Sequence, residues 1–289
     1  VAQNRIGSDA RAQVVDSSAA ANLITVLSTS DADIAAGVFG AFVGLAGSRG
    51  VAGTAAIGVG IAENFISFDR DDGSGEPRTD TSTVEAIAAN ANLSGDRVRV
   101  DSLSLGSITT QVLVTSVALA AAARSGIGAA GSGAVATNRI ARQNHAGIKN
   151  NQNGTGRIRA NESRVVNADD QSTISANVLG GAVSFAGSGA VGGTLSIGVS
   201  SASNKIVNEV VASIEGVRGI GDDDGIEVTR GELSITASQA STVTSSTTAI
   251  GFSAAVGNVG VGLAGAGGLS WNEIHGQTIA MIDDSDVAV

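Results

Sequence analysis

Residues 192–211 read Gly-Gly-Thr-Leu-Ser-Ile-Gly-Val-Ser-Ser-Ala-Ser-Asn-Lys-Ile-Val-Asn-Glu-Val-Val, and they carry the pattern from which a fold can be predicted. In the first half, Leu195, Ile197 and Val199 share one face, while only small residues occupy the other. This period of two predicts a β-strand rather than a helix. Small residues along one face allow another backbone to approach closely. The glycine-rich part ends at Asn204, and Ile206 follows on the same face.

The same pattern recurs along the whole chain. A short Asn-x-Ile sequence appears five times, usually after a strand of small residues, with its asparagine at Asn4, Asn64, Asn138, Asn204 and Asn272. Successive asparagines are separated by 60, 74, 66 and 68 residues. A unit of this kind cannot bury its apolar face alone and is expected to stack on its neighbours. We therefore predict one continuous array over residues 1–289 rather than two globular domains.

The predicted fold class is all-β, an elongated β-solenoid (β-helix) with about four degenerate repeats and surface loop insertions. Because one repeat is much longer than a solenoid coil of about 20–25 residues, each repeat is expected to form about three coils. At a strand spacing of about 4.8 Å, the array would be a rod of about 60 Å. The asparagines would lie in line along the rod in a structural role, since Asn tolerates turns and bonds backbone groups locally.

Strands and loops are expected to alternate within each repeat. Leu103–Thr110 matches Leu233–Ala240, because both are rich in Ser and Thr with branched residues between them. Three polar insertions, Ser67–Thr83, Ala141–Ser163 and Gly216–Glu232, are predicted to be surface loops.

Composition narrows the possible partners. The chain holds 40 Gly, one Pro, no Cys and 2% aromatic residues, and its formal net charge is −10. The acidic balance disfavours nucleic acid or an anionic membrane surface as the main partner. The absence of cysteine excludes disulfides and thiolate metal sites. The chain begins Val-Ala-Gln-Asn without signal-peptide features, and both ends lie close to an Asn motif, so we expect a piece of a longer array.

Two glycine motifs have a structural interpretation. Residues 126–131 and 260–265 both match G-x-G-x-x-G. A dinucleotide site also needs a helix that opens on the motif and an acidic residue about 20 positions later. Both matches lie at similar places within glycine-rich repeats, so we predict no cofactor there.

Acidic segments offer oxygen ligands of the kind that calcium prefers. They are Asp69–Glu76 and Asp222–Asp224. Their spacing departs from the EF-hand loop, and no calcium nonapeptide repeat occurs. A solvated charged loop is the favoured interpretation at both, with calcium as the alternative.

One basic segment interrupts the acidic chain. Its members are Arg139, Arg142, Lys149, Arg157, Arg159 and Arg164, with a single acid, Glu162, among them. A solvated loop is the favoured interpretation, and a patch for an anionic glycan or an acidic chain is the alternative. Without interleaved aromatic residues, nucleic acid is not the expected ligand.

Nothing in the sequence marks an active site. The two histidines, His145 and His275, occupy different positions within their repeats, and neither a G-x-S-x-G nor a His-Glu-x-x-His motif occurs. We therefore predict no enzyme activity and no catalytic, cofactor-binding or metal residues.

Residues 34–62 raise a membrane alternative, because they carry a single charge, Arg49, and contain a G-x-x-x-G motif. The alternation of period two near each asparagine and the many Gly and β-branched residues disfavour a helix. No membrane insertion is therefore expected.

The recurring small-residue strand, the Asn-x-Ile motif, the strand Val211–Ile214 and the Ser/Thr-rich strand Leu233–Ala237 together resemble the repeats of large bacterial filamentous adhesins. These are the filamentous haemagglutinin and leukotoxin-type filamentous adhesin family. The resemblance covers nearly the whole chain. It implies a β-solenoid stalk that is exported and displayed on the bacterial cell surface, with no catalytic residues.

Three functional hypotheses follow. The first is a structural and adhesive segment of an extracellular filament, with neighbouring repeats, copies of itself and host or environmental surface ligands as partners. The second is a self-assembling fibre or sheath subunit, because uncapped solenoid ends expose strand edges. The third, a β-solenoid enzyme acting on polysaccharide, predicts a groove with clustered carboxylates.

Overall fold

The computed structural model describes residues 1–67, 82–150, 156–219 and 225–289, and they form strands without any helix. The strands are β1 (Ala2–Ile6), β2 (Ala10–Val15), β3 (Ser18–Ala20), β4 (Leu23–Ser48), β5 (Val51–Ile66), β6 (Ser82–Ala89), β7 (Asn92–Ala122), β8 (Ser125–Lys149), β9 (Ile158–Ser188), β10 (Val191–Glu215), β11 (Ile226–Val228), β12 (Glu232–Gln239), β13 (Thr242–Val256), β14 (Val259–Asp283) and β15 (Val287–Ala288).

The strands form two parallel sheets that face each other. Sheet A has the order β1-β5-β8-β10-β14, with β2 and β6 beside this path. Sheet B has the order β15-β11-β9-β7-β3, with β4, β12 and β13 beside it. The chain crosses from sheet B to sheet A through two-residue connections such as Arg49-Gly50 and Ala123-Arg124. The described chain is therefore all-β with long parallel strands, as the sequence predicts, and this arrangement is consistent with a β-solenoid.

The pairing register corrects the predicted coil length. Asn4 pairs with Asn64, Asn64 with Asn138, Asn138 with Asn204, and Asn204 with Asn272. Strands therefore stack one full Asn-to-Asn spacing apart, and the expectation of three coils per repeat was wrong. The length of a repeat is taken up by strands of up to 31 residues. Four steps along sheet A span only about 19 Å, instead of the predicted 60 Å.

The buried core explains the Asn-x-Ile motif. The asparagine and the isoleucine of each motif point between the sheets, since alternate residues of a strand share a face. Ile66, Ile140 and Ile206 of sheet A are fully buried and pack with Ile108 and Ile174 of sheet B. A larger apolar cluster fills the space between the sheets at the end farther from the two-residue connections, and it contains Leu93, Val100, Ile148, Val166 and Ile214.

In the glycine-rich half of the stack, the two sheets approach very closely. A Cβ atom on Gly198 of sheet A would lie 2.4 Å from the carbonyl oxygen of Ile250 in sheet B. A Cβ atom on Gly180 of sheet B would lie 2.4 Å from the carbonyl oxygen of Val199. The predicted close backbone approach is confirmed at these positions, where glycine is needed for lack of space.

The outer face of this half is apolar. Leu195, Ile197 and Val199 point outward and are 42%, 47% and 49% exposed, whereas Ser196 and Ser200 are buried. Stacking on neighbouring strands therefore does not cover the bulky face, contrary to the sequence-based expectation. The space between the sheets is filled mainly by small side chains, together with Val112, Val114 and Val178 of sheet B.

One predicted loop and one predicted strand match need correction. Ala141–Lys149 belongs to β8 and Ile158–Ser163 to β9, so the prediction of the loop Ala141–Ser163 was wrong for these residues, and residues 151–155 lie outside the described ranges. The predicted match between Leu103–Thr110 and Leu233–Ala240 was also wrong in register. Leu103 and Ser238 both pair with Asp169, so Leu103 aligns with Ser238 and not with Leu233.

The other two predicted loops lie partly outside the described residues. Residues 68–81 of the Ser67–Thr83 loop fall there, and β6 begins at Ser82. Residues 220–224 of the Gly216–Glu232 loop also fall there, and the described part of this loop contains the short strand β11.

Candidate functional site

An unbroken row of asparagine side chains runs through the interior. The Nδ2 atom of each asparagine donates to the Oδ1 atom of the next, at 2.8 Å in all four steps from Asn4 to Asn272. Asn64, Asn138 and Asn204 are completely buried. The predicted alignment of the asparagines is confirmed. Their bonds join side chains of successive strands, whereas the sequence led us to expect local bonds to the backbone.

The asparagine row also joins the two sheets. Thr110 of β7, in sheet B, donates from Oγ1 to Oδ1 of Asn138 at 2.6 Å. Asn64 donates from Nδ2 to Oγ1 of Thr110 at 2.8 Å. Buried polar groups of this kind stabilise a fold only when their hydrogen bonds are made, so the row fixes both the strand register and the sheet-to-sheet position.

A buried charged layer lies four residues beyond the row. Arg142 of β8 is 1% exposed and donates from Nη1 to Oγ of Ser30 at 3.2 Å and of Ser104 at 3.0 Å. Burial lowers the pKa of Arg142, and the negative charges of Asp170 and Asp31 oppose this shift. Its Nε and Nη2 atoms have no hydrogen-bond partner. The prediction of a solvated basic loop was wrong for Arg142.

Asp170 of β9 supplies the opposite charge in this layer. It accepts hydrogen bonds from Nδ2 of Asn208 at 2.5 Å and from Oγ of Ser172 at 3.0 Å. Burial raises the pKa of Asp170, and bonds from Ser104, Ser172 and Asn208 together with the charge of Arg142 partly offset this rise. The carboxylate is fully buried, so it is closed to a polymeric substrate.

Arg164 is buried in a different way. It is 0% exposed, it lies on the inward face of β9, and its three guanidinium nitrogens have no hydrogen-bond partner. Burial lowers the pKa of Arg164 to about 10. This is the second arginine of the basic segment that the sequence-based prediction placed in solvent.

The rest of the basic segment lies at the surface or close to it. Arg157 and Arg159 line a cleft of about 380 Å³ beside β3 and the start of β7. Arg159 pairs with Glu227, at 3.3 Å between Nε and Oε2. The backbone N–H of Arg157 donates to Oδ1 of Asn92 at 3.0 Å. Both arginines take part in interactions within the chain.

The histidines stay apart. His145 aligns with Val211, whereas His275 aligns with Val207, so they occupy different positions, as predicted. His145 is half-buried, and its Nε2 atom lies 3.0 Å from Oγ of Ser213. Burial lowers the pKa of His145, which keeps the ring neutral near pH 7.

No group of three or more His, Asp or Glu residues within the described ranges is placed to hold a metal ion. The calcium candidates Asp69–Glu76 and Asp222–Asp224 lie outside those ranges.

The glycine motifs and the membrane candidate are parts of strands. Gly126 and Gly260 both align with Gly192, and each G-x-G-x-x-G match runs within a strand of sheet A instead of opening a helix. Residues 34–62 lie almost entirely in β4 and β5. Over the described ranges, we find no helix with the length and apolar character needed to cross a membrane.

Searches of protein-family models, of curated proteins and of solved structures found no match to this chain.

A simple signal was available for the buried arginine of β8. Arg142 lies four residues after Asn138, and an even offset along a strand places both on the same face. The predicted loop begins at Ala141, so the sequence-based prediction places Arg142 outside the strand. For Asp170, the even offset from Val166 gives the same indication.

Proposed function

We propose that this chain is a non-enzymatic structural segment of a large filamentous protein on the bacterial cell surface. The observation that carries this proposal is the continuity of bonding along the stacking direction. Parallel backbone pairing and the buried asparagine row repeat at every step from β1 to β14. Such a stack resists bending and shear because each strand is bonded along most of its length to the next.

The internal chemistry also favours a structural role. The buried charges of Arg142 and Asp170 lie between the sheets and are closed to solvent. In some proteins, buried polar groups specify a unique register at a cost in stability, and this is the role we assign to the asparagine row and the charged layer.

A deletion experiment tests the structural role. Because Ser125 pairs with Val191, removal of residues 125–190 joins strands that already share a register. We expect the shortened protein, in its full-length parent, to fold, to reach the cell surface and to support adhesion at close to the original level. Removal of residues 125–157 cuts within the repeat and is the matched control, which we expect to abolish surface display.

The outcome separates length from specific chemistry. Loss of adhesion by a surface-displayed 125–190 deletion would show that this segment carries a particular ligand site, and the structural proposal would fail. Antibody labelling of intact cells provides the measure of display in both variants.

A second candidate is the self-assembling fibre or sheath subunit. It is favoured by the exposed bulky residues on the outer face of sheet A, since contiguous exposed apolar patches usually mark interaction sites.

A further inference from the structure

The outer face of sheet A near the connections carries an apolar surface without any charge. We call it the apolar face of sheet A and define it by the outward side chains of residues 51–61, 125–135, 191–201 and 259–269. Serine is the only polar residue type among these outward positions. Ile57 and Val59 are 73% and 59% exposed. Exposed apolar surface of this extent is unusual on a protein that remains alone in water.

Bulky side chains and glycines alternate along this face. One row across the four strands reads Ile57, Gly131, Ile197, Gly265 in the order of strand pairing. A side chain at Gly131 would meet Ile57 only at an ordinary 3.8 Å, and at Gly265 it would meet nothing within 4 Å. These two glycines are therefore not required by packing within the chain, although glycine weakens a strand.

A second row alternates in the opposite phase. It reads Gly53, Ile127, Gly193, Val261. Space is open around both glycines, with no atom within 4 Å of an added Cβ. The two rows together give a pattern of projections and holes.

A two-fold axis parallel to the strands makes this pattern complementary to itself. Such an axis places a second copy face to face and reverses the order of its strands, so that β8 opposes β10 and β5 opposes β14. Ile197 then meets Gly131 of the second copy, and Ile127 meets Gly193. A third row, Ala55, Ala129, Leu195, Leu263, also sets small against large in this arrangement.

We infer that the apolar face of sheet A binds the same face of a second copy in a two-fold pair with interdigitated side chains, in which the strands of the two copies run in the same direction and their order is reversed. Four strands at about 4.8 Å and ten residue steps at about 3.3 Å give about 650 Å² per copy. The pair would bury about 1,300 Å² in total, within the range of specific interfaces. Dry interdigitated packing between sheets is a known mode of association. The inference goes beyond the proposed stalk role, because it concerns lateral contact rather than stacking.

The test first places a bulky side chain at one of the glycine positions of this face, and then restores complementarity with a second substitution. Gly131→Ile blocks the position that receives Ile197 of the second copy, whereas in the single chain it only adds a branched residue to an outward strand position. The double variant Gly131→Ile/Ile197→Gly exchanges the projection and the hole, and the reversed row is again complementary. Gly47→Ile is the matched control, because Gly47 lies on the outer face of sheet B with nothing within 4 Å.

Sedimentation velocity from about 1 µM to about 500 µM measures association. We expect a dimer for the unmodified chain and the control, at least tenfold weaker association for Gly131→Ile, and recovery in the double variant. A chain that stays monomeric throughout would overturn the inference, and so would a dimer that Gly131→Ile leaves unchanged. Binding to neutral phosphatidylcholine vesicles that Gly131→Ile does not alter, together with a monomer in buffer, would assign the face to lipid instead. A β-type circular dichroism spectrum in every variant keeps failure of pairing distinct from failure of the stalk fold.

Discussion

Substitution of Asn138 by Ala tests how much the buried asparagine row stabilises the stack. Asn138 accepts hydrogen bonds from Asn64 at 2.8 Å and Thr110 at 2.6 Å, and it donates to Asn204 at 2.8 Å. Three neutral hydrogen bonds contribute about 3 kcal/mol net. The substitution also leaves Oδ1 of Asn204 buried without a donor, which costs about 1–3 kcal/mol. We therefore expect Asn138→Ala to lower the free energy of unfolding by about 4–6 kcal/mol.

The control is the same substitution at the end of the row. Asn272 is exposed and accepts a hydrogen bond from Asn204 at 2.8 Å. Water can replace Asn272 as a hydrogen-bond partner, so Asn272→Ala should cost about 1 kcal/mol or less. Urea unfolding followed by circular dichroism gives the total cost in each variant. Because stacked repeats can open one at a time, amide hydrogen exchange in β8 gives the local cost. Equal costs at the two positions would refute a stabilising role for the buried row.

Three further substitutions test the interior. Gly198→Ala should lower the free energy of unfolding by about 1–3 kcal/mol, because the new Cβ would lie 2.4 Å from the Ile250 carbonyl oxygen. The control is Gly193→Ala, which should not destabilise the protein because no atom lies within 4 Å of the new Cβ. Thermal unfolding compares the two variants. The raised pKa of Asp170 means that the folded state holds this proton more tightly than the unfolded chain does. The contribution of protonated Asp170 to the free energy of unfolding is therefore fully present below about pH 4, and it falls as the pH rises through the pKa of the folded state. Urea midpoints across pH 4–7 should show this fall, and Asp170→Asn should remove it. Arg164→Met should be neutral or stabilising in urea unfolding, because it removes a buried cation whose guanidinium has no hydrogen-bond partner; a loss above about 3 kcal/mol would show that Arg164 has a partner in solution.

Much of the fold could be predicted from the period-two alternation and the recurrence of Asn-x-Ile. The alternation near Gly192 identified strands, and the recurrence placed Asn64, Asn138 and Asn204 in one column. The coil length could not be obtained in the same way. Strands of 25 to 31 residues are far longer than the usual 3–10. Short coils were therefore expected, although the spacing between successive Asn-x-Ile motifs equals the length of one full coil.

The interior charges were missed for a related reason. Charged residues are rarely buried, so a segment containing Arg142, Lys149 and Arg164 was predicted to be a loop. The buried arginine and aspartate come together only because β8 and β9 lie in opposite sheets. The electrostatic interaction between Arg142 and Asp170 depends on how the two sheets pack, which the alternation within one strand does not specify.

Close packing of the two sheets accounts for the apolar outer face. Where Gly198 and Gly180 bring the backbones together, a Val or Ile side chain at either position would clash with a backbone carbonyl oxygen of the other sheet. Strand formation still favours branched residues, and alternation leaves only the outer face for them. Ile197 and Val199 therefore lie on the outer face, because Gly198 between them points toward the close approach of the two backbones. The exposed surface that results explains why we infer a partner at this half of the stack, whereas farther from the connections the interior is wide enough to bury Ile206 and Arg142.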